Sequence, residues 1–212
     1  MPADVLVALE PRKTPVQARA AVTVEAIFEA SIQVLLTHGA ERLTTSRVAE
    51  RAGVSVGTLY QYFPNKHSLL FAVFEDHLNK VAVAVESACE QAYHKPLTDM
   101  IRQLVEAYVT VKMDRADISV ALYKVAPAIG GAALAERVGR RLRKGIEAML
   151  QTAPDVELPP DKFAIEMMLA AMSGAMRSAL EAGASPATFR KMREHLVVLC
   201  QSYMTAVTAQ RI

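Results

Sequence analysis

The chain has 212 residues, 52% hydrophobic and 22% charged, with 24 Lys and Arg against 22 Asp and Glu. That supplies apolar material for one large or two small packed domains, while a net charge of +2 excludes a uniformly basic nucleic-acid wrapper. Two lone cysteines, Cys89 and Cys200, match neither a disulfide framework nor a zinc spacing and suit a reducing cytoplasm.

Residues 1–16 hold three prolines and the pair Arg12-Lys13, and read as a flexible basic arm. An acid precedes the very short apolar run there and the basic residues follow it, which is not a signal-peptide pattern. No apolar run approaches the roughly 20 residues of a membrane span. The first helix then places Val24, Ile27, Phe28, Ser31, Val34 and Leu35 on one face, and Gly39 is expected to end it. Thr44 and Thr45 can cap a short helix with Val48, Ala49 and Ala52 inward, which Gly53 closes. Ser55 is placed to cap a second short helix, Val56 to about Phe63. Asn65 can cap a long helix from Lys66 to about Tyr93, striped with Leu69, Leu70, Val73, Phe74, Leu78 and Val81.

Five further helices are expected. They cover 97–113, 116–126 (stopped by Pro127), 132–150, 161–182 and a last one opened by Ser185-Pro186 that runs to about Ala209. Strand-like alternation bounded by hairpin turns does not occur, and unbranched residues, ten Met among them, favour helix. The fold class is all-α, with about nine helices.

Two short helices joined by Gly53-Val54-Ser55 make a helix-turn-helix, because glycine accepts the positive φ of the tight turn. Val48, Ala49, Val54 and Leu59 can hold the pair together. The second helix then stands out with Ser55, Val56, Gly57 and Thr58 at its start, all small enough to let backbone approach base edges. Leu59 and Phe63, four apart, face inward. Tyr60 and Tyr62 can then offer hydroxyls to phosphates, with Thr45 and Lys66 beside them. Residues 1–66 carry seven Lys and Arg against six Asp and Glu, so placed hydroxyls and backbone N–H groups must do what bulk charge does not. Tyr60, Tyr62 and Phe63 also suit ordinary core positions, and Gly53 an ordinary loop.

The run "TTSRVAERAGVSVGTLYQYFPNKHSLL" resembles the DNA-binding signature of the TetR/AcrR family of bacterial regulators, almost without a gap from Leu43 to Leu70. The resemblance implies phosphate contacts from Thr45, Tyr60, Tyr62 and Lys66, and base-facing positions at Ser55, Val56, Gly57 and Thr58. Ser46 stands where some members carry a base-reading arginine. Arg12, Lys13 and Arg19 resemble the basic extensions that some members lay along DNA. Beyond about Leu78 only helix count and order carry over. The implied organisation is an arm (1–16), a helix-turn-helix domain (17–66) and a helical effector-binding and dimerisation domain (67–212).

The last two helices are apolar nearly all round, which points to burial on more than one side and to a homodimer. Family members dimerise through these helices, and Ala171, Ala175, Leu196, Cys200 and Tyr203 are the interface candidates. Phe74, Tyr108, Met113, Tyr123, Met149, Met168 and Met172 could line an effector pocket, since Met is flexible and polarisable, though each also suits the core. Arg137, Arg140, Arg141 and Lys144 share one helix face, read first as solvated and otherwise as an anion stripe. No metal-ligand spacing, catalytic constellation or cofactor motif appears. The sequence therefore reads as a cytoplasmic, non-enzymatic regulator, most simply a repressor. Its partners would be a palindromic double-stranded operator, a small apolar or amphipathic effector and a second copy of the chain, with no membrane. The competing reading is a helical small-molecule binder or enzyme that retains a helix-turn-helix head.

Overall fold

The computed structural model describes residues 18–210. The Arg12-Lys13 arm and the Arg19 side chain lie outside the described parts. Among the described residues there are nine α-helices and no strand. They are α1 (Ala18–Arg42), α2 (Thr45–Ala52), α3 (Val56–Tyr62), α4 (Lys66–Ala92), α5 (Leu97–Asp114), α6 (Ala116–Val125), α7 (Gly131–Leu150), α8 (Lys162–Glu181) and α9 (Pro186–Gln210), with a 3-10 turn at Ala126–Ile129.

The chain divides into two compact units. One runs up to Leu78 and adds Asp117–Ala135; the other holds Asn79–Ala116 and the residues from Glu136 onward. The boundary falls inside α4 and inside α7.

In the first unit α1 packs on α2 and α2 on α3. Ile27, Leu43, Val48, Ala49, Leu59 and Phe63 are buried there, and the Phe28 and Phe63 rings meet at 5.8 Å. Val54 is only half-buried. α1 does not simply stop at Gly39: the backbone breaks there (φ 74, ψ 171) and helical bonding resumes to Arg42. The stretch Ala20–Arg42 is long and apolar enough to cross a membrane, with a window of mean hydropathy 1.5, contrary to the sequence expectation. It is nonetheless a core helix of this unit, with Ile27, Ala30, Ile32, Val34 and Leu35 buried and Glu25 and Glu29 on its surface.

Elsewhere in this unit Phe74 of α4 lies against Gly131. A Cβ on Gly131 would fall 2.7 Å from the Phe74 ring and 2.9 Å from the Ala126 carbonyl oxygen, so only glycine fits. The buried Ser119 hydroxyl and His77 Nε2 lie 3.1 Å apart. α6 ends one residue earlier than expected, and Pro127 sits in the 3-10 turn that follows.

In the second unit α9 packs along α5 and against α8. Met168, Met172 and Met176 of α8 and Leu196, Cys200 and Met204 of α9 are buried there with Met100, Ile101 and Leu104 of α5. Each such side chain contributes about 1.5–3 kcal/mol relative to exposure. The proline-rich link at 153–160 takes part in this packing. Asp155 Oδ1 accepts from Leu97 N at 2.9 Å and so satisfies an orphan donor at the start of α5. Nearby, Thr152 Oγ1 accepts from His94 N at 2.9 Å. Burial pushes both thiols up from 9.0 to about 11, with Glu86 and Glu90 adding to the effect at Cys89.

Candidate nucleic-acid interface

α2 and α3 are joined as the sequence requires. Thr44 caps α2, accepting from Arg47 N at 3.3 Å. Gly53 closes α2 in the left-handed region (φ 67, ψ 29), and its N–H donates to Ala49 O and Glu50 O. Ser55 Oγ then accepts from Thr58 N at 2.9 Å and opens α3. Two hydrophobic anchors, Leu59 and Phe63, are buried, which fixes the roll of the short helix and turns its other side outward.

On that outward side Ser55 and Gly57 are exposed, as are Val56 (38%) and Tyr60 (44%), while Thr58 is half-buried. A Cβ on Gly57 would meet only Ser55 Oγ, at 3.7 Å, an ordinary contact. The fold itself therefore leaves room for a side chain at Gly57.

The hydroxyl-bearing residues are linked rather than independent. Thr45 Oγ1 and Tyr60 Oη lie 3.1 Å apart, which ties the start of α2 to α3. Ser55 Oγ and Thr58 Oγ1 lie 2.8 Å apart. Tyr62 is half-buried, its ring 6.2 Å from that of Phe63. Lys66 is half-buried and its Nζ donates to Ala40 O at 3.3 Å, just past the break at Gly39. Asn65 caps α4: its Oδ1 accepts from Ser68 N at 2.8 Å, and Ser68 Oγ accepts in return from Asn65 N at 3.2 Å. All eight sequence-selected DNA candidates, Thr45, Ser55, Val56, Gly57, Thr58, Tyr60, Tyr62 and Lys66, thus lie in the first unit, each exposed or half-buried.

The pocket candidates are divided. Phe74 and Tyr123 belong to the first unit, and Tyr108, Met113, Met149, Met168 and Met172 to the second. Phe74 is spent on Gly131, and Met149, Met168 and Met172 are buried core residues. Met113 is half-buried and lines a cleft with Arg190 and Arg193, which no sequence pattern above singles out. Among the described residues no cluster of His, Cys, Asp or Glu is arranged to hold a metal.

Two of the interface candidates face the other way. Leu196 (4% exposed) and Cys200 (1%) lie on the inward stripe of α9, whereas Ala171, Ala175 and Tyr203 are half-buried. The exposed large apolar residues of α8 and α9 are Phe163, Met167, Val198 and Leu199. A helix that is apolar nearly all round does not reveal which stripe its own core takes. On the arginine-bearing face of α7, Arg141 forks onto Glu86 of α4, with Nε to Oε1 at 2.6 Å. Arg140 pairs with Glu136 one turn earlier.

Known proteins share the fold. A structure from Mesorhizobium loti, described as a TetR-family transcriptional regulator, superposes with a TM-score of 0.75 at 17% identity over 90% of this chain and 98% of that one. LfrR from Mycobacterium smegmatis, solved in complex with proflavine, gives a TM-score of 0.58 at 22% identity over 88% of this chain and 98% of that one. At such identities both likenesses concern the fold. The fatty acid metabolism regulator protein of Bacillus subtilis is 32% identical over 60 residues, 28% of this chain and 31% of that protein. The chain spans less than a third of the length of the curated relatives it matches. Residues 20–73 match the family described as bacterial regulatory proteins, tetR family, and residues 96–204 match the tetracyclin repressor-like C-terminal domain. The latter match alone takes in more than half of the sequence, and the chain belongs to the tetR family of bacterial regulatory proteins.

Proposed function

We propose that the chain is a cytoplasmic, non-enzymatic transcriptional repressor that binds a palindromic DNA operator as a homodimer and is released by a small effector. The observation that carries this reading is the outward side of α3. Ser55, Val56 and Gly57 are exposed at its start while Leu59 and Phe63 anchor it from behind. Such a helix can enter a major groove and touch base edges with small groups. Thr58 adds a methyl and a hydroxyl to this base-facing set. Thr45, Tyr60, Tyr62 and Lys66 take flanking phosphates, which set register rather than sequence. Residues 17–66 form the DNA-binding domain, and the 1–16 arm supplies further phosphate contacts.

Dimerisation runs through α8 and α9, where Phe163, Met167, Val198 and Leu199 leave apolar surface uncovered beside Ala171, Ala175 and Tyr203. Two recognition helices about 34 Å apart then read the two halves of a palindrome. α4 runs from one compact unit into the other, so an effector held by residues 67–212 can act on the head through it. A clean switch needs about 10⁴-fold tighter effector binding to the released state. The names of two relatives, one a regulator of fatty acid metabolism and one solved with proflavine, support an apolar or amphipathic effector.

Selection from random DNA, followed by salt titration of the selected site, tests the reading. A palindromic sequence should emerge. Each cation that neutralises a phosphate steepens the log K against log[salt] slope by about 0.9. Lys66→Ala in both protomers should flatten it by about 2. Failure to enrich any sequence would refute the operator reading.

A further inference from the structure

We propose that the second unit carries a binding cleft for a small amphipathic carboxylate, formed by the end of α5 and the opening turns of α9. The cleft has a volume of about 410 Å³, within the roughly 300–1,000 Å³ of small-molecule sites. Val109, Met113 and Phe189 form its apolar side, and Arg190 and Arg193 line it from α9. Val109 and Phe189 are buried and Met113 and Arg193 half-buried, while Thr110, Asp114, Pro186 and Arg190 are exposed, so the apolar floor belongs to the core of the unit and the charged edge is open to water.

Arg140, Arg141, Arg143 and Arg177 of this unit each pair with a glutamate. Arg102, Arg190 and Arg193 have no ion pair or hydrogen bond among the described residues, and of these three only Arg190 and Arg193 line the cleft. Arg190 and Arg193 are three residues apart on α9, so their side chains are neighbours on one helix face along the cleft.

An anion supplies the partner that both guanidinium groups lack. A planar guanidinium donates two parallel N–H bonds to a carboxylate, and two of them can bracket one headgroup. The hydrocarbon or ring body then lies along Val109, Met113 and Phe189, where it leaves water. Asp114 is the carboxylate on the cleft wall and pairs with neither arginine. It reduces the local charge to about that of one cation, which suits a monocarboxylate better than a doubly charged phosphate. A neutral or cationic amphiphile would shield both guanidinium groups from water and return nothing. This inference deepens the regulatory reading. Its link to DNA release rests on that reading, whereas ligand binding does not.

Calorimetric titration of the full chain with decanoate, decyltrimethylammonium and acetate tests it. Decanoate should saturate one site per chain, with the other two at least tenfold weaker. R190Q/R193Q should weaken decanoate at least tenfold without lowering the melting temperature. Met113→Glu, which adds a second carboxylate to the wall, should do the same and serves if the double variant misfolds. Equal decanoate affinity in wild type and both variants would overturn the proposal. So would decyltrimethylammonium binding as tight as decanoate, or no saturable decanoate binding. Decanoate that binds the cleft but leaves affinity for the selected DNA unchanged supports the site and removes its regulatory role.

Discussion

The hydroxyl of Thr45 lies 3.1 Å from that of Tyr60, across the turn that joins α2 to α3. Two groups proposed to contact phosphates are therefore one unit. Each orients the other: one hydroxyl donates its proton to the other, whose own proton is then left for a phosphate. Thr45→Val and Tyr60→Phe should each weaken DNA binding on all sequences alike. Their combination should cost less than the sum, with a coupling of about 0.5–1.5 kcal/mol in a double-mutant cycle. Strict additivity in DNA titrations would show two independent contacts.

Gly57 offers a separation of stability from function. A Cβ there meets only Ser55 Oγ at 3.7 Å, and the residue lies inside α3. Gly57→Ala should raise stability by about 0.5–1 kcal/mol, because alanine is the better helix residue. The same methyl group should hold the helix away from base edges and cost at least about tenfold in operator affinity, or about 1.4 kcal/mol. A thermal melt and a DNA titration on one preparation check both halves. Unchanged DNA affinity would take Gly57 out of the interface.

The opposite holds at Gly131. A methyl group there would stand 2.7 Å from Phe74 and 2.9 Å from the Ala126 carbonyl. Gly131→Ala should destabilise by about 1–3 kcal/mol through overpacking, read as a lowered denaturation midpoint. Shortening Phe74 to leucine should restore part of the loss.

On the proposed dimer face, Val198 is 63% exposed while its neighbour Cys200 is 1% exposed. Val198→Asp should leave the chain folded and shift it from dimer to monomer in sedimentation. Cys200→Asp should instead unfold the second unit, because it buries an unpaired charge. A folded, dimeric Val198→Asp variant would move the interface elsewhere.

Both thiols have folded-state values near 11, raised by burial from 9.0. Protonated thiol is the form that the folded chain favours, so the stabilisation is complete below about pH 9. As pH rises from 9 to 11 the unfolded chain releases these protons first, and stability should fall. A Cys89→Ala/Cys200→Ala variant should show a shallower loss across that window in chemical denaturation. At neutral pH both thiols should resist alkylation until the protein unfolds.

Much of the helix-turn-helix was legible because each step has a local cause. Thr44 and Ser55 are caps, Gly53 takes the left-handed turn, and Leu59 with Phe63 sets the inward side. Three features were not. The bond between Thr45 and Tyr60 joins residues 15 apart, beyond any helical period. The inward stripe of α9 was hidden because apolar residues cover most of its circumference, so Leu196 and Cys200 looked as free as Val198 and Leu199. The cleft depends on α5 meeting α9, whose sequences are separated by more than 70 residues. Pattern reading along one helix does not show which basic residues will lack an acidic neighbour in space.

Lys66 donates to the Ala40 carbonyl immediately after the break in helical backbone at Gly39. The placement of a cation proposed to grip DNA therefore hangs on a residue outside the proposed contact set. A mutational scan for lost repression should score Gly39 among the contact residues, although its failure would be one of aim: the ammonium would still be present, with nothing behind it to hold it on target.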